Sequence, residues 1–462
     1  MEHRNESPNS DKRMGTEPIP KLMFRLAVPA VVAQLINVLY NIVDRIYIGH
    51  ISEIGSVALT GVGLTFPIIM LISAFSAFVG AGGAPLASIQ LGKGDKAQAE
   101  KILGNGVTVL LFFSVVLTAF FFIFKRPLLY MFGASDSTIV YADNYLSIYL
   151  IGTVFVQLAL GLNMFISSQG RAKTAMTSVL IGAVTNIILD PIFIFVFNLD
   201  VRGAALATII SQAISAIWVL RFLISEKSVI IIRKKCLRPD FSLIAAIAAL
   251  GVSPFIMQFT ESAISIVLNR GLSQYGGDLY VGSMTILQSV MQLVFVPIQG
   301  FTQGVQPIIS YNFGAKNFDR VRKTYRIAIG FSFTVTLIDC LLTTQFPTVF
   351  ARLFTDKPEL IALVGQVMPI FMAGVWIFGV QMGCQTTFIG LGQAKLSLFA
   401  ALLRKVILLI PLAIILPMIT QNVMSIYYAE PISDIVSATT SGLIFFFCRK
   451  RMLSEEALSR IR

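Results

Sequence analysis

Charge is what this chain has least of. Only 13% of its residues are Asp, Glu, Lys or Arg, against 55% hydrophobic. A soluble chain carries about 25% charged residues. With a mean hydropathy of +0.78, the soluble class is excluded. Histidine is nearly missing, with His3 and His50 the only two. The four cysteines, Cys236, Cys340, Cys384 and Cys448, show no paired spacing. These shortages argue against a zinc site and against a disulfide scaffold. No Gly-Lys is followed by Ser or Thr, so there is no Walker A phosphate loop, and ATP is not the driver within this chain. The apolar runs offer no nucleophile–His pairing, which sets aside a membrane hydrolase. No short apolar segment with a small-residue cleavage site follows the polar N-terminus, so no signal peptide is expected. No cofactor is expected either.

What the chain has instead is apolar runs. Twelve can be marked, from 26–48 to 424–448, each longer than the roughly 20 residues that cross a bilayer. The reading is an all-α polytopic membrane protein with twelve transmembrane helices in two pseudo-symmetric six-helix bundles. Residues 1–24 read as a polar, unstructured N-terminal tail, 25–225 as the first bundle, 226–240 as a linker, 241–449 as the second bundle and 450–462 as a tail. An even number of spans puts both termini on one side. That side collects 27 Lys and Arg, the other 6, and three lie inside runs. The positive-inside rule then places both termini in the cytoplasm and the chain in the cell inner membrane. Ser137 falls outside and Ser228 inside on this topology. The same bias explains the net charge of +12 without nucleic acid. The cluster Arg233-Lys234-Lys235 reads as a topology signal near lipid headgroups.

The two halves repeat. Pro85-Leu86-Ala87-Ser88-Ile89-Gln90-Leu91-Gly92 is similar to Pro307-Ile308-Ile309-Ser310-Tyr311-Asn312-Phe313-Gly314, an offset of 222. The same offset pairs Gly82 with Gly304, Gly152 with Gly374 and Gly161 with Gly383. Near the start it becomes 225, pairing Pro29 with Pro254 and Asp44-Arg45 with Asn269-Arg270. Six spans per copy make the copies parallel, related by an axis along the membrane normal. Two such bundles suit rocking about a central cavity.

Acids inside the runs carry the chemistry. Asp190 stands in Asn186-Ile187-Ile188-Leu189-Asp190-Pro191, and Asp44 in the first run. An Asp at a helix centre costs about 2.5–3.5 kcal/mol on insertion scales, so each is a functional candidate. Asn186 and Asp190, four apart, share a helix face. So do Asn37, Tyr40 and Asp44. Two carboxylates with amide and hydroxyl oxygens form a hard-oxygen set suited to Na⁺. If the acids share a proton, the set becomes a proton carrier.

The double six-span plan, Pro-x6-Gly after the second and eighth runs, Gln169-Gly170-Arg171-Ala172-Lys173 and the Asn186–Ile194 motif together resemble the multidrug and toxic compound extrusion (MATE) transporters, over about residues 22–450. The resemblance implies an ion site of Asp44, Asn186, Asp190 and Thr208, taking H⁺ or Na⁺. It also implies a solute cavity lined by Asn37, Tyr40, Tyr145 and Asn163. Glu261 matches a cation-site acid of another branch, but its partner's place reads Phe378-Gly379-Val380-Gln381, without an acid. Glu261 is therefore expected to attract cationic solutes or to pair with a base. Arg404 and Asp339 are expected to be structural. The implied function is a monomeric antiporter that exports amphipathic, often cationic small molecules in exchange for H⁺ or Na⁺. The alternative is a flippase for a lipid-linked oligosaccharide. A pyrophosphate lipid would call for several cavity Arg or Lys, and these helices carry few.

Overall fold

The computed structural model describes residues 10–51 and 55–461. A short helix, α1 (Ser10–Thr16), comes first. The first half then runs α2 (Ile19–Gly49), α3 (Val57–Lys93), α4 (Lys96–Met131), α5 (Ile139–Ile151), α6 (Thr153–Ser168), α7 (Ala172–Val196) and α8 (Asp200–Ile224). The second half runs α9 (Phe241–Gly276), α10 (Leu279–Gly314), α11 (Phe318–Gln345), α12 (Pro358–Gly390), α13 (Ala394–Thr420) and α14 (Met424–Met452). A last helix, α15 (Glu455–Ser459), closes the chain. Eleven of these are long and apolar enough to cross a bilayer. Counting the pair α5 and α6, bent by 59°, as one broken span gives twelve. The bend falls at Gly152, where a Cβ would come within 2.6 Å of the Ile209 side chain. The expected twelve spans are borne out. Each helix satisfies its own backbone, which the hydrocarbon core demands.

The repeat becomes geometry where the lobes meet. Helix α3 packs along α9, α10 along α2, and α3 and α10 touch each other. A Cβ on Gly92 would lie 2.0 Å from the Tyr311 carbonyl oxygen, and one on Gly314 2.0 Å from that of Ile89. Adding 222 to Gly92 and Ile89 gives Gly314 and Tyr311, so these are one contact seen twice across a pseudo-dyad. Gly82 and Gly304 repeat the pattern: their Cβ atoms would fall 2.2 Å from Ile247 O and 2.5 Å from Ala27 Cα. Only hydrogen at these positions lets the backbones approach so closely.

All four glycines lie toward the ends of α3 and α10 that also carry both termini. There α1 packs in, with Met14 fully buried. Asn312 Nδ2 donates to the Met14 carbonyl at 2.9 Å. Arg320 donates to the carbonyls of Met14 and Glu17 at 3.0 and 2.8 Å. These donors satisfy the C-terminal carbonyls of α1, so helix structure reaches into the segment read as an unstructured tail; residues 1–9 lie outside the described residues. At the other terminus, Lys93 Nζ donates to the Ile461 carbonyl at 2.8 Å.

The linker is fastened to the first lobe. Gln169 Oε1 accepts from Val229 N at 2.8 Å and Ser228 Oγ at 3.0 Å. Glu100 pairs with Arg233 at 2.6 Å, which holds that guanidinium protonated above its ordinary range. Thr108 Oγ1 donates to Leu237 O at 2.8 Å.

Candidate functional site

Helix α7 changes hand-hold at Pro191. Proline has no N–H to give the preceding turn, and the backbone continues as a π-helix over Ile192–Val196. Such π segments cluster at functional sites. The widened turn begins two residues after Asp190, which is fully buried. Asp190 sits eighteen residues into α7, about 27 Å along the helix axis at ~1.5 Å per residue. The site therefore lies toward the face opposite the termini.

Asn186 is 2% exposed and Thr208 8%. Asn186 Nδ2 donates to Asp190 Oδ1 at 3.2 Å and to Thr208 Oγ1 at 3.5 Å. Asp44, from α2, faces Asp190 across the site. Two carboxyl groups facing each other in a buried site suit the sharing of one proton. Three oxygens are left over. Asp44 Oδ1, Asn186 Oδ1 and Asp190 Oδ2 are buried without hydrogen-bond partners among the described residues. Buried polar atoms are ordinarily paired, so this cradle of oxygens fits a cation. Residues from α2, α7 and α8 thus converge, and all four expected ion ligands are brought together.

The expected solute-lining residues divide. Asn37, Tyr40 and Asn163 line a cavity of about 30 Å³ that also reaches Asn186 and Thr208. Asn163 Nδ2 donates to Ser178 Oγ at 2.8 Å and to Ala175 O at 3.1 Å, so its amide nitrogen is engaged in helix packing. Tyr145 does not line this cavity; it is 4% exposed and lies beside Thr208. Tyr149 stacks on it at 6.3 Å. A water needs about 10–15 Å³, so the cavity admits water or an ion and is too small for a drug-sized solute.

Ser178, Ser211, Gln212 and Ser215 also line the cavity and were not foreseen. The signal was present: Thr208, Ser211, Gln212 and Ser215 fall at i, i+3, i+4 and i+7, one face of α8. Arg45 turns away from the site, its guanidinium 5.4 Å from the centre of the Phe66 ring.

A second ionic cluster occupies the other lobe, also on a π segment, Leu403–Leu409 of α13. Arg404 donates to Asp434 Oδ1 at 2.6 Å and to Glu430 Oε1 at 2.7 Å. It lies 4.2 Å from the Phe378 ring centre. Lys405, nearly fully buried, pairs with Glu261 and donates to Met257 O at 2.9 Å. Glu261 therefore already holds an ammonium, while its own side chain remains 64% exposed. Glu430 and Asp434 of α14 escaped the sequence reading because their helix is polar at many positions. Asp339 keeps a buried oxygen, Oδ2, without a partner.

Similarity to known proteins follows the same duplication. The MatE family pattern matches residues 29–192 and again 254–415, once in each lobe. The multidrug export protein MepA of Staphylococcus haemolyticus (strain JCSC1435) is 25% identical over 438 residues, 95% of each chain. MepA of Staphylococcus aureus (strain N315) is 25% identical over 437 residues, 94% of this chain and 95% of that one. Among solved structures, a MATE in the bent conformation superposes with a TM-score of 0.87 at 24% identity, covering 98% of both chains. An outward-facing multidrug resistance MATE transporter of the MOP superfamily gives 0.85 at 23% identity, covering 96% of this chain and 99% of that one.

Proposed function

The chain belongs to the MatE family of transporters, and on that premise we propose that it is a cation-coupled exporter of amphipathic, often cationic small molecules. That the MepA relatives are multidrug export proteins supports the substrate class. The observation that carries the coupling is the Asp44–Asp190 contact with its three orphan oxygens. The pair takes up a proton in one state of the transport cycle and gives it up in another. Arrival of a cationic solute from the cytoplasmic side, or a change in lobe packing, releases it; rebinding resets the site. The orphan oxygens offer Na⁺ a competing set of ligands at the same place. Nothing in the site requires a second copy of the chain, so the working unit is a monomer, with both termini in the cytoplasm.

The solute passes through the space between the lobes, since the small cavity holds only water or an ion. Asn37, Tyr40 and Asn163 shape the wall that this space shares with the ion site, with Tyr145 packed behind it, while Glu261 of the opposite lobe is paired with Lys405. The flippase reading is weaker. The buried bases Arg404 and Lys405 are each taken by carboxylates, which leaves no free guanidinium or ammonium there for a pyrophosphate. Ethidium export from proteoliposomes, under a pH gradient and separately under a Na⁺ gradient, tests the proposal. Export under the pH gradient alone supports the proton; export under neither gradient rejects coupling at this pair.

A further inference from the structure

A larger opening than the ion-site cavity lies elsewhere, on the face that carries the termini. It has a volume of about 540 Å³ and sits between the start of α4, the linker and the start of α9. Its walls bring three bases together: Lys101 from α4, and Lys235 and Arg238 from the linker. All three are exposed, and among the described residues none has a carboxylate partner. One acid, Asp240, also lines the opening; its Oδ1 accepts from Ser242 N at 3.0 Å as the cap of α9, and the three bases outnumber it. The floor is preformed: Asn105 Oδ1 accepts from Asp240 N at 2.7 Å, and Gly104 lets the Cys236 carbonyl come within 2.3 Å of where a Cβ would be. The bases are thus held around an opening by a rigid support.

The lip identifies the occupant. Phe241, 83% exposed, opens the membrane-spanning helix α9 and lines the same opening. As the first residue of a span, its ring stands where the chain passes from the headgroups into the hydrocarbon. A positive cleft with an apolar lip at that level meets phosphate below and acyl chain beside it. We propose that this cleft binds the headgroup of an anionic phospholipid, phosphate against Lys101, Lys235 and Arg238. The lipid then ties α4 to the linker where the linker enters the second lobe. Basic pockets between helices at the cytoplasmic leaflet are a known physical solution for such headgroups.

The test uses the full-length chain, stripped of lipid in detergent and given phosphatidylglycerol or phosphatidylcholine. Native mass spectrometry counts bound lipid, and unfolding temperature reports its effect. The wild type should retain phosphatidylglycerol in preference to phosphatidylcholine and be stabilised by it. Lys101→Gln/Lys235→Gln/Arg238→Gln should lose that preference, with affinity falling about a hundredfold at roughly fivefold per charge. Lys323→Gln/Lys450→Gln/Arg451→Gln, three charges elsewhere on the face, should keep it. Should the first triple variant misfold, Lys235→Gln alone, on an exposed side chain, is expected to show the single-charge loss. Equal retention by wild type and the Lys101 triple overturns the site. So does equal loss in the control triple, which would make the attraction diffuse. Stabilisation by millimolar inorganic phosphate equal to that by phosphatidylglycerol would assign the cleft to a soluble anion and overturn the lipid.

Discussion

Two aspartates illustrate what a single residue decides here. Asp→Asn keeps shape and hydrogen bonding but cannot ionise. Asp190→Asn and Asp44→Asn are each expected to abolish gradient-driven export while the protein inserts normally, because a buried acid costs insertion energy rather than supplying it. The double variant should be no worse than either single one, since groups acting as a unit are non-additive. Glu261→Gln should reduce export less. Ethidium transport in proteoliposomes decides, and wild-type export by Asp190→Asn would move the ion site out of the first lobe. Arg404 makes the opposite kind of residue. It binds two buried carboxylates at once, so Arg404→Met leaves both without their cation. Breaking a buried pair from one side costs about 3–5 kcal/mol, read as a large fall in unfolding temperature in detergent. Arg404→Met/Glu430→Gln/Asp434→Asn, which removes all three charges together, should recover most of it.

Helices carry the second level, and here the sequence was most legible. An apolar run longer than a bilayer is its own evidence, and the spacing of Asn186 and Asp190 already placed both on one face. Less legible were features that need a partner element. The π turn after Pro191 and the one at Arg404 have no periodicity to announce them. Glu430 and Asp434 read as polar helix residues until Arg404 is seen reaching from α13. Helix α1 looked like a polar tail because its anchors, Asn312 and Arg320, lie about 300 residues away in the chain. The glycine offset, by contrast, forecast a duplication without saying what the glycines touch. The structure supplies the contact and with it a prediction. Gly82→Ala and Gly304→Ala should each lower the unfolding temperature, because the added methyl would meet backbone at 2.2 and 2.5 Å. Gly330→Ala, where a Cβ meets nothing within 4 Å, should change little. Matching losses at Gly82 and Gly304 would reflect their equivalent places in the two lobes; a large loss at Gly330 would mean the effect is unrelated to lobe packing.

At the scale of the whole molecule, the lobes are closed together on one face, and export requires that face to open. Backbone contact at Gly92 and Gly314, the docked α1, and the Lys93–Ile461 hydrogen bond all join the lobes there. The basic bias predicts that this face meets the cytoplasm, and cysteine labelling can test it. Ser137→Cys should label from outside. Ser228, chosen from sequence as the inner reporter, is only 3% exposed and bonded to Gln169; the exposed Glu226 is the better position, labelling only from the cytoplasm. With orientation established, the rocking motion can be tested directly. Lys93 and Lys316 are exposed at the adjoining ends of α3 and α10. In a variant lacking Cys236, Cys340, Cys384 and Cys448, Lys93→Cys/Lys316→Cys can be joined by a short, cleavable thiol cross-linker. A link too short to let the ends separate should hold the lobes in the closed arrangement described here. Export should then stop, solute binding from the opposite face should persist, and cleavage of the linker should restore turnover. Export at the uncross-linked rate from fully cross-linked protein would mean that this face never opens during transport, and that the solute takes a path other than the space between the lobes.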